Sequence, residues 1–415
     1  MRSRRLSGVG LLAGVVVSCA AVLGSASPAL AQFRGGPGMF RQMMEPSVNT
    51  AQLDRYATML ELTPEQRETV DEMLSGFQLE HQAIAAEIRE TMEGARDEMR
   101  RNGDPSVWRD VSQVMDKYRQ RIRVIESAFF EDVQLLLTEN QAAKWPAVER
   151  LRRRETTIDQ GGIVSGETVD LVRLVEEAKL PAEAAEQVAP VLEQYEVDMD
   201  KALASRNEVY ERSMRQGMEM WFGGDQAGVQ KLFESARAEA VKVRDVNRRY
   251  ARQIEGLMPD EQRQAFNAAF REKSFPRVYG DAIVPRAVKI TQELSDLTAE
   301  QREQVAAIAE SYTRESASIN ERWAKAIEDN EMNRTAASMF GMGPRDDGAR
   351  EMREARRTLD QTTMQKIRAV LTEEQRTRLP EPEERPDWRR RGGGGGGPGG
   401  GNADGERQRD RRDRA

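Results

Sequence analysis

The chain is poor in the residues that most enzymes use. Its 415 residues contain one cysteine, Cys19, and one histidine, His81, and aromatic residues make up only 6%. With a single thiol it cannot close an internal disulfide or build a thiolate metal site, so helix packing has to stabilise it. With no second histidine, an imidazole proton relay or a histidine metal pair is excluded. His81 falls between Phe77 and Ile84 on an apolar stripe, which predicts a packed histidine. There is no phosphate-binding glycine loop and no dinucleotide fingerprint, and the glycine run near the C-terminus reads as a linker. The carboxylates, such as Glu65, Glu68, Asp71 and Glu72, recur at helix-surface spacings and read as a solvated face rather than an acid–base pair. Nothing here predicts an enzyme or a bound cofactor.

Charge is abundant, at 32% of residues, which suits long amphipathic helices with wide polar faces. At this length several domains or repeats are expected. Residues 1–31 read as an export signal: Arg2, Arg4 and Arg5, an apolar run from Leu6 to about Leu23, then Ala29-Leu30-Ala31 as a small-x-small cleavage site. Val16-Val17-Ser18-Cys19 also loosely matches a lipoprotein box, so acylation at Cys19 is the alternative, and only then would the membrane be a partner. The expected location is periplasmic or secreted. Losing those three arginines takes the net charge from −7 to −10, which disfavours a nucleic-acid partner. Residues 32–48 lack periodicity and read as a linker. Residues 380–415 carry Pro382, Pro386, Arg389–Arg391 and a glycine run, and are predicted to be a disordered tail.

The strongest signal is internal repetition. Leu62-Thr63-Pro64-Glu65-Gln66 recurs as Leu137-Thr138-Glu139-Asn140-Gln141, as Leu297-Thr298-Ala299-Glu300-Gln301 and as Leu371-Thr372-Glu373-Glu374-Gln375. Degenerate copies begin at Leu180-Pro181 and at Met258-Pro259, the latter ending in Gln262. The starts pair as 62 with 137, 180 with 258 and 297 with 371, gaps of 75, 78 and 74 residues, and the pairs begin 118 and 117 residues apart. Threonine followed three residues later by glutamine is a capping box, and Pro64 sits where proline is tolerated in a first turn. Where proline replaces threonine, at 181 and 259, the side-chain cap is lost and only the bias to start a helix remains. Arg67, Arg302 and Arg376 follow the glutamines, so the usual apolar staple does not complete.

Behind the first motif a stripe of Val70, Met73, Leu74, Phe77, Ile84, Ile88, Met92 and Met99 runs at helical period to a break at Asn102-Gly103-Asp104-Pro105. A second stripe, from Val107 to Leu136, leads back. Gly223-Gly224-Asp225 and Gly341-Met342-Gly343-Pro344 break the later copies at matching places. The fold class is therefore all-α: three tandem helical-hairpin modules at 49–160, 161–280 and 281–379, with disordered termini and a shorter helix ahead of each hairpin.

An export signal, paired L-T-x-x-Q motifs and four-helix hairpins together resemble the Spy/CpxP-like LTxxQ family of periplasmic proteins across residues 49–379. The resemblance implies an ATP-independent chaperone or an envelope-stress or metal-responsive regulator, which in the family dimerises into a curved cradle. Unfolded or partly folded exported proteins are then the expected partners, with homo-oligomers possible. A metal-responsive regulator and a helical scaffold for one envelope partner are the alternatives. Candidate client-binding residues are Arg119, Arg123, Arg249, Arg252, Arg353 and Arg357 on the returning helices, with Met214, Met218 and Trp221. Cross-hairpin ion pairing is the competing account of the arginines, and core or loop filling that of the methionines. Clusters such as Met39, Met43 and Met44, or Met332, Met339 and Met342, would also suit Cu(I).

Overall fold

The computed structural model describes residues 44–103, 107–339 and 347–380, and these are all-α, with no strand among them. The signal-sequence and tail expectations, and the third glycine break, lie outside the described residues.

A short helix α1 (Thr50–Leu60) is capped by Asn49 and ends on Glu61 in the left-handed region, φ 53°. Helix α2 (Pro64–Asn102) starts on a complete Thr63–Gln66 capping box and stops at Gly103, whose φ of 66° only glycine adopts without strain. Helix α3 (Val107–Leu135) returns antiparallel to α2. The second motif opens α4 (Glu139–Ala142), and α5 (Trp145–Thr157) then packs on α1. Leu53, Tyr56, Leu74, Phe77, Phe129, Val133 and Trp145 form the core at this base. Ile84 and Ile88, with Met92, Met115, Tyr118 and Ile122 around them, extend it toward the tip.

The segment read as a linker ends differently from expectation. Val48 is fully buried in the base core and Met44 packs on the Ile84–Ile88 cluster, so the last residues before α1 belong to the fold. His81 is packed as expected, 1% exposed, with neither ring nitrogen hydrogen-bonded. Burial pushes its pKa down from the ordinary range, so it is held neutral and its protonation in acid opposes folding.

A one-turn 3-10 helix at Ile158–Gln160 and a loop at 161–170 lead to α6 (Leu171–Ala178), α7 (Ala182–Phe222) and α8 (Gln226–Glu255). The Pro181 and Pro259 carbonyls accept the first helical bonds, and Pro259 makes no side-chain cap, as proline requires. Gly224 (φ 78°) and the Asp225 cap on Gly228 turn the chain between α7 and α8. Tyr195, Met199, Leu203, Val243, Tyr250 and Ile254 fill the core between them. After α8 come α9 (Asp260–Ser274) and α10 (Pro276–Tyr279).

The remaining helices are α11 (Ile283–Gln292), α12 (Ala299–Asn333), α13 (Ala336–Met339), α14 (Asp347–Val370) and α15 (Glu373–Arg376). Two compact units divide the chain, one of residues 1–280 and 314–358, the other of 281–313 and 359–415, so the division cuts α12 and α14. In the first unit Trp323 and Ala324 pack with Phe275 and Val278. Arg248 of α8 pairs with Glu328, and Ser165 donates through its amide (2.9 Å) and hydroxyl (2.6 Å) to Glu331. In the second unit Val284, Ala287, Leu297, Tyr312, Ile367 and Leu371 form the core.

The paired motifs meet. Gln66 Nε2 donates to the Leu136 carbonyl (2.7 Å) and to Gln141 Oε1 (3.0 Å), while Gln141 Nε2 donates to the Glu61 carbonyl (3.0 Å) and to Gln66 Oε1 (2.9 Å). Each Oε1 also accepts the amide N–H of its own capping threonine. In the second unit Gln301 Nε2 donates to Val370 O (2.9 Å) and to Gln375 Oε1 (3.1 Å), and Gln375 Nε2 donates to Asp296 O (3.1 Å). Glutamine thus caps its own helix and locks it to its partner, which ties the two motifs of a pair to one another. The arginine after Gln66, Gln301 and Gln375 replaces the missing staple with polar contacts, whereas Ala142 follows Gln141. Arg67 pairs with Asp54 and Asp71, Arg302 donates to the Leu294 carbonyl, and Arg376 donates to the Arg368 carbonyl. Leu62, Leu137, Leu297 and Leu371 pack into the base cores instead. At the degenerate pair Ala184 has no amide to exchange, and buried Tyr195 and Asn247 link α7 to α8 (3.0 Å).

Candidate functional site

The candidate surface is the solvent side of the hairpins, where the amphipathic period puts polar residues and any apolar side chain is out of phase. Among the described residues the large apolar side chains left exposed are Leu79 (67%), Val124 (61%), Leu135 (83%) and Met332 (46%). Single exposed leucines are ordinary on protein surfaces. Val124, however, lines a shallow groove of about 480 Å³ between α2 and α3, whose floor includes Ile84 and Ile125. Glu80, Ala83, Lys117, Gln120 and Arg121 complete it. Leu79 precedes Glu80 on α2 and stands one turn before Ala83.

The charges around the groove are unevenly matched. Arg121 crosses to Glu87 with Nη2–Oε1 at 3.0 Å, and the pair holds the Glu87 carboxyl below its usual range through that hydrogen bond. Asp116 is engaged by Arg119. Lys117 is exposed and makes no ion pair among the described residues.

The arginines expected to bind clients fall into four states. Arg119, half-buried, pairs along its own helix with Asp116. Arg249 crosses its hairpin to Asp198 at 2.7 Å and lies over the Tyr250 ring, so cross-hairpin pairing accounts for it, as it does for Arg121. Arg123 reaches Glu211 of α7 at 4.0 Å, one turn from half-buried Met214. Arg252, Arg353 and Arg357 are exposed, with no ion pair among the described residues, whereas neighbouring Arg356 is buried and donates to Asn320. The side chains of Met218, Trp221 and Met339 lie outside the described residues, as do Met39, Met43 and Met342. No hydrogen bond, ion pair or ring contact joins any of the described candidates to another. Many methionines fill cores: Met199, Met258 and Met364 are buried, and Met92 and Met115 pack on the Ile84–Ile88 cluster.

Sequence reasoning passed over Leu79, Val124 and Leu135. The signal was present, since each lies off the apolar stripe of its own helix. It also missed the most buried charges among the described residues, Glu167 and Arg206, both 0% exposed and joined at 3.1 Å. Among the described residues no group of three or more histidine, cysteine, aspartate or glutamate side chains is arranged to hold a metal ion, and no helix is long and apolar enough to cross a membrane. No family model matches the sequence, and no curated protein or solved structure is matched either.

Proposed function

We propose that this chain is an exported, ATP-independent holdase that shields apolar segments of other exported proteins, built from three copies of an LTxxQ-type hairpin. The observation carrying this reading is an apolar strip, Leu79 and Val124 flanking Ala83, left open to solvent beside an unmatched cation. Leu79, Ala83 and Val124 offer apolar surface that a bound segment would take out of water. Mixed apolar and charged contacts on a stiff hairpin suit weak capture of many sequences better than tight recognition of one. The motif pairing and the family resemblance point the same way, and the absence of a histidine or cysteine relay argues against hydrolysis or group transfer that uses an imidazole base or a thiol nucleophile.

The test is light scattering of two or three unrelated denatured proteins diluted into buffer, with and without the chain and without ATP. Stoichiometric amounts of the chain are expected to suppress scattering for all of them. Suppression of none, combined with capture of a single partner from an envelope extract, would replace the holdase by a dedicated scaffold.

A further inference from the structure

We propose that the groove between α2 and α3 seats an extended polypeptide segment carrying one apolar side chain and a carboxylate three residues away. This deepens the holdase reading and rests on it. Two observations define the occupant. The floor and one wall are apolar, formed by Ile84, Ile125, Ala83 and exposed Val124. The cations at the end toward the hairpin tip are Lys117 and Arg121, and only Arg121 has its own carboxylate, Glu87. Glu80 stands at the other end. A seated segment is therefore attracted if it brings negative charge to Lys117 and apolar surface to Val124.

Spacing sets the register. Lys117 and Val124 are seven residues apart on one helix face, about 10 Å at the helical rise. A segment in the extended polyproline II conformation covers about 9 Å in three residues and returns the side chain to the same face. The matching pattern is an apolar residue followed or preceded at three positions by Asp or Glu. A segment with lysine at that place meets Lys117 with like charge and is disfavoured.

The experiment uses the full chain and two fluorescent, unstructured peptides that differ only in Asp or Lys three residues from a central leucine, with binding read by anisotropy. The aspartate peptide is expected to bind about fivefold tighter than the lysine peptide. Lys117→Glu is expected to reverse that order, and Val124→Asp to weaken both by about tenfold or more, with circular dichroism melts unchanged. A reversal of preference is something a merely structural role for Lys117 does not produce. Equal affinities in every combination overturn the groove assignment. If the wild-type chain still suppresses aggregation in that case, the holdase reading stands and only its location is lost. If neither peptide binds and no client is protected, both fall. Loss of self-association in Val124→Asp without any change in peptide binding places a second copy there, and equally overturns the peptide site.

Discussion

Replacing Arg206 by Met is expected to destabilise the α7–α8 hairpin by about 3–5 kcal/mol. Arg206 sits on the apolar face of α7, following Tyr195, Met199 and Leu203 at helical steps, and is fully buried. It reaches Glu167 at 3.1 Å, Asn207 Oδ1 at 3.0 Å and the Thr157 carbonyl. Glu167 in turn accepts from the backbone of Gly162 (2.8 Å) and Ile163 (3.0 Å) and from the Tyr210 hydroxyl (2.8 Å). Burial, then the Glu167 charge, drives the Tyr210 pKa up, so the phenol stays a donor. The loop is drawn so tightly around this carboxylate that a Cβ on Gly161 would stand 2.6 Å from it.

Removing the guanidinium leaves Glu167 charged, buried and short of its cation, and that uncompensated charge is the source of the cost. The double replacement Arg206→Met with Glu167→Leu is expected to recover part of the loss, because desolvation of both charges is then avoided. Urea unfolding followed by circular dichroism measures both. A loss below about 1 kcal/mol for Arg206→Met would mean that water reaches the pair in solution.

Gln141→Ala is the second large effect, with an expected cost of about 2–4 kcal/mol. The side chain is 7% exposed and serves four groups: the Thr138 amide, the Thr138 hydroxyl, the Glu61 carbonyl and the Gln66 amide. Alanine strands the Glu61 carbonyl and half of Gln66 at the base of the hairpin. Gln141→Glu keeps the shape but cannot donate to either oxygen, and it sets a carboxylate against Gln66 Oε1 and Glu61 O. Its stability is expected to be poor at neutral pH and to recover as pH falls through the carboxylate range, about 4, where the protonated acid regains one donor. Thermal melts at pH 7 and pH 4 check this. A Gln141→Glu protein that is stable at pH 7 would show that the glutamine pair is incidental. Glu68→Gln, at an exposed position on the same helix as Gln66 and with no ion pair or side-chain hydrogen bond among the described residues, is the neutral control.

Much of this architecture is legible in the sequence because its signals are local. Thr63, Thr138, Thr298 and Thr372 announce helix starts through a three-residue spacing, and Gly103 announces an end through its need for positive φ. The reason the motifs come in pairs is not local. The Gln66–Gln141 exchange joins residues 75 apart, and periodicity says only that both glutamines begin helices. Val48 was misplaced because a short aperiodic approach to a helix looks like a linker, whatever it packs against. Arg206 was passed over because a lone cation on an apolar stripe reads as a boundary residue until its partner, on a loop 39 residues earlier, is in view. The arginines of the returning helices were visible as a group, but cross-hairpin partners such as Asp198 and Glu87 decide which are spoken for. That information is tertiary. Lys117 stands out only when Asp116 and Glu87 are both seen to be engaged elsewhere.

Client shielding by the open faces of the hairpins is tested most directly by amide hydrogen exchange on the full chain, alone and saturated with a permanently unfolded protein. Slowed exchange is expected in segments covering residues 79–87 and 117–128, with the Gln66–Gln141 base and the Glu167–Arg206 loop unchanged. Identical exchange in the two samples across both segments, at concentrations where aggregation is suppressed, would contradict the account.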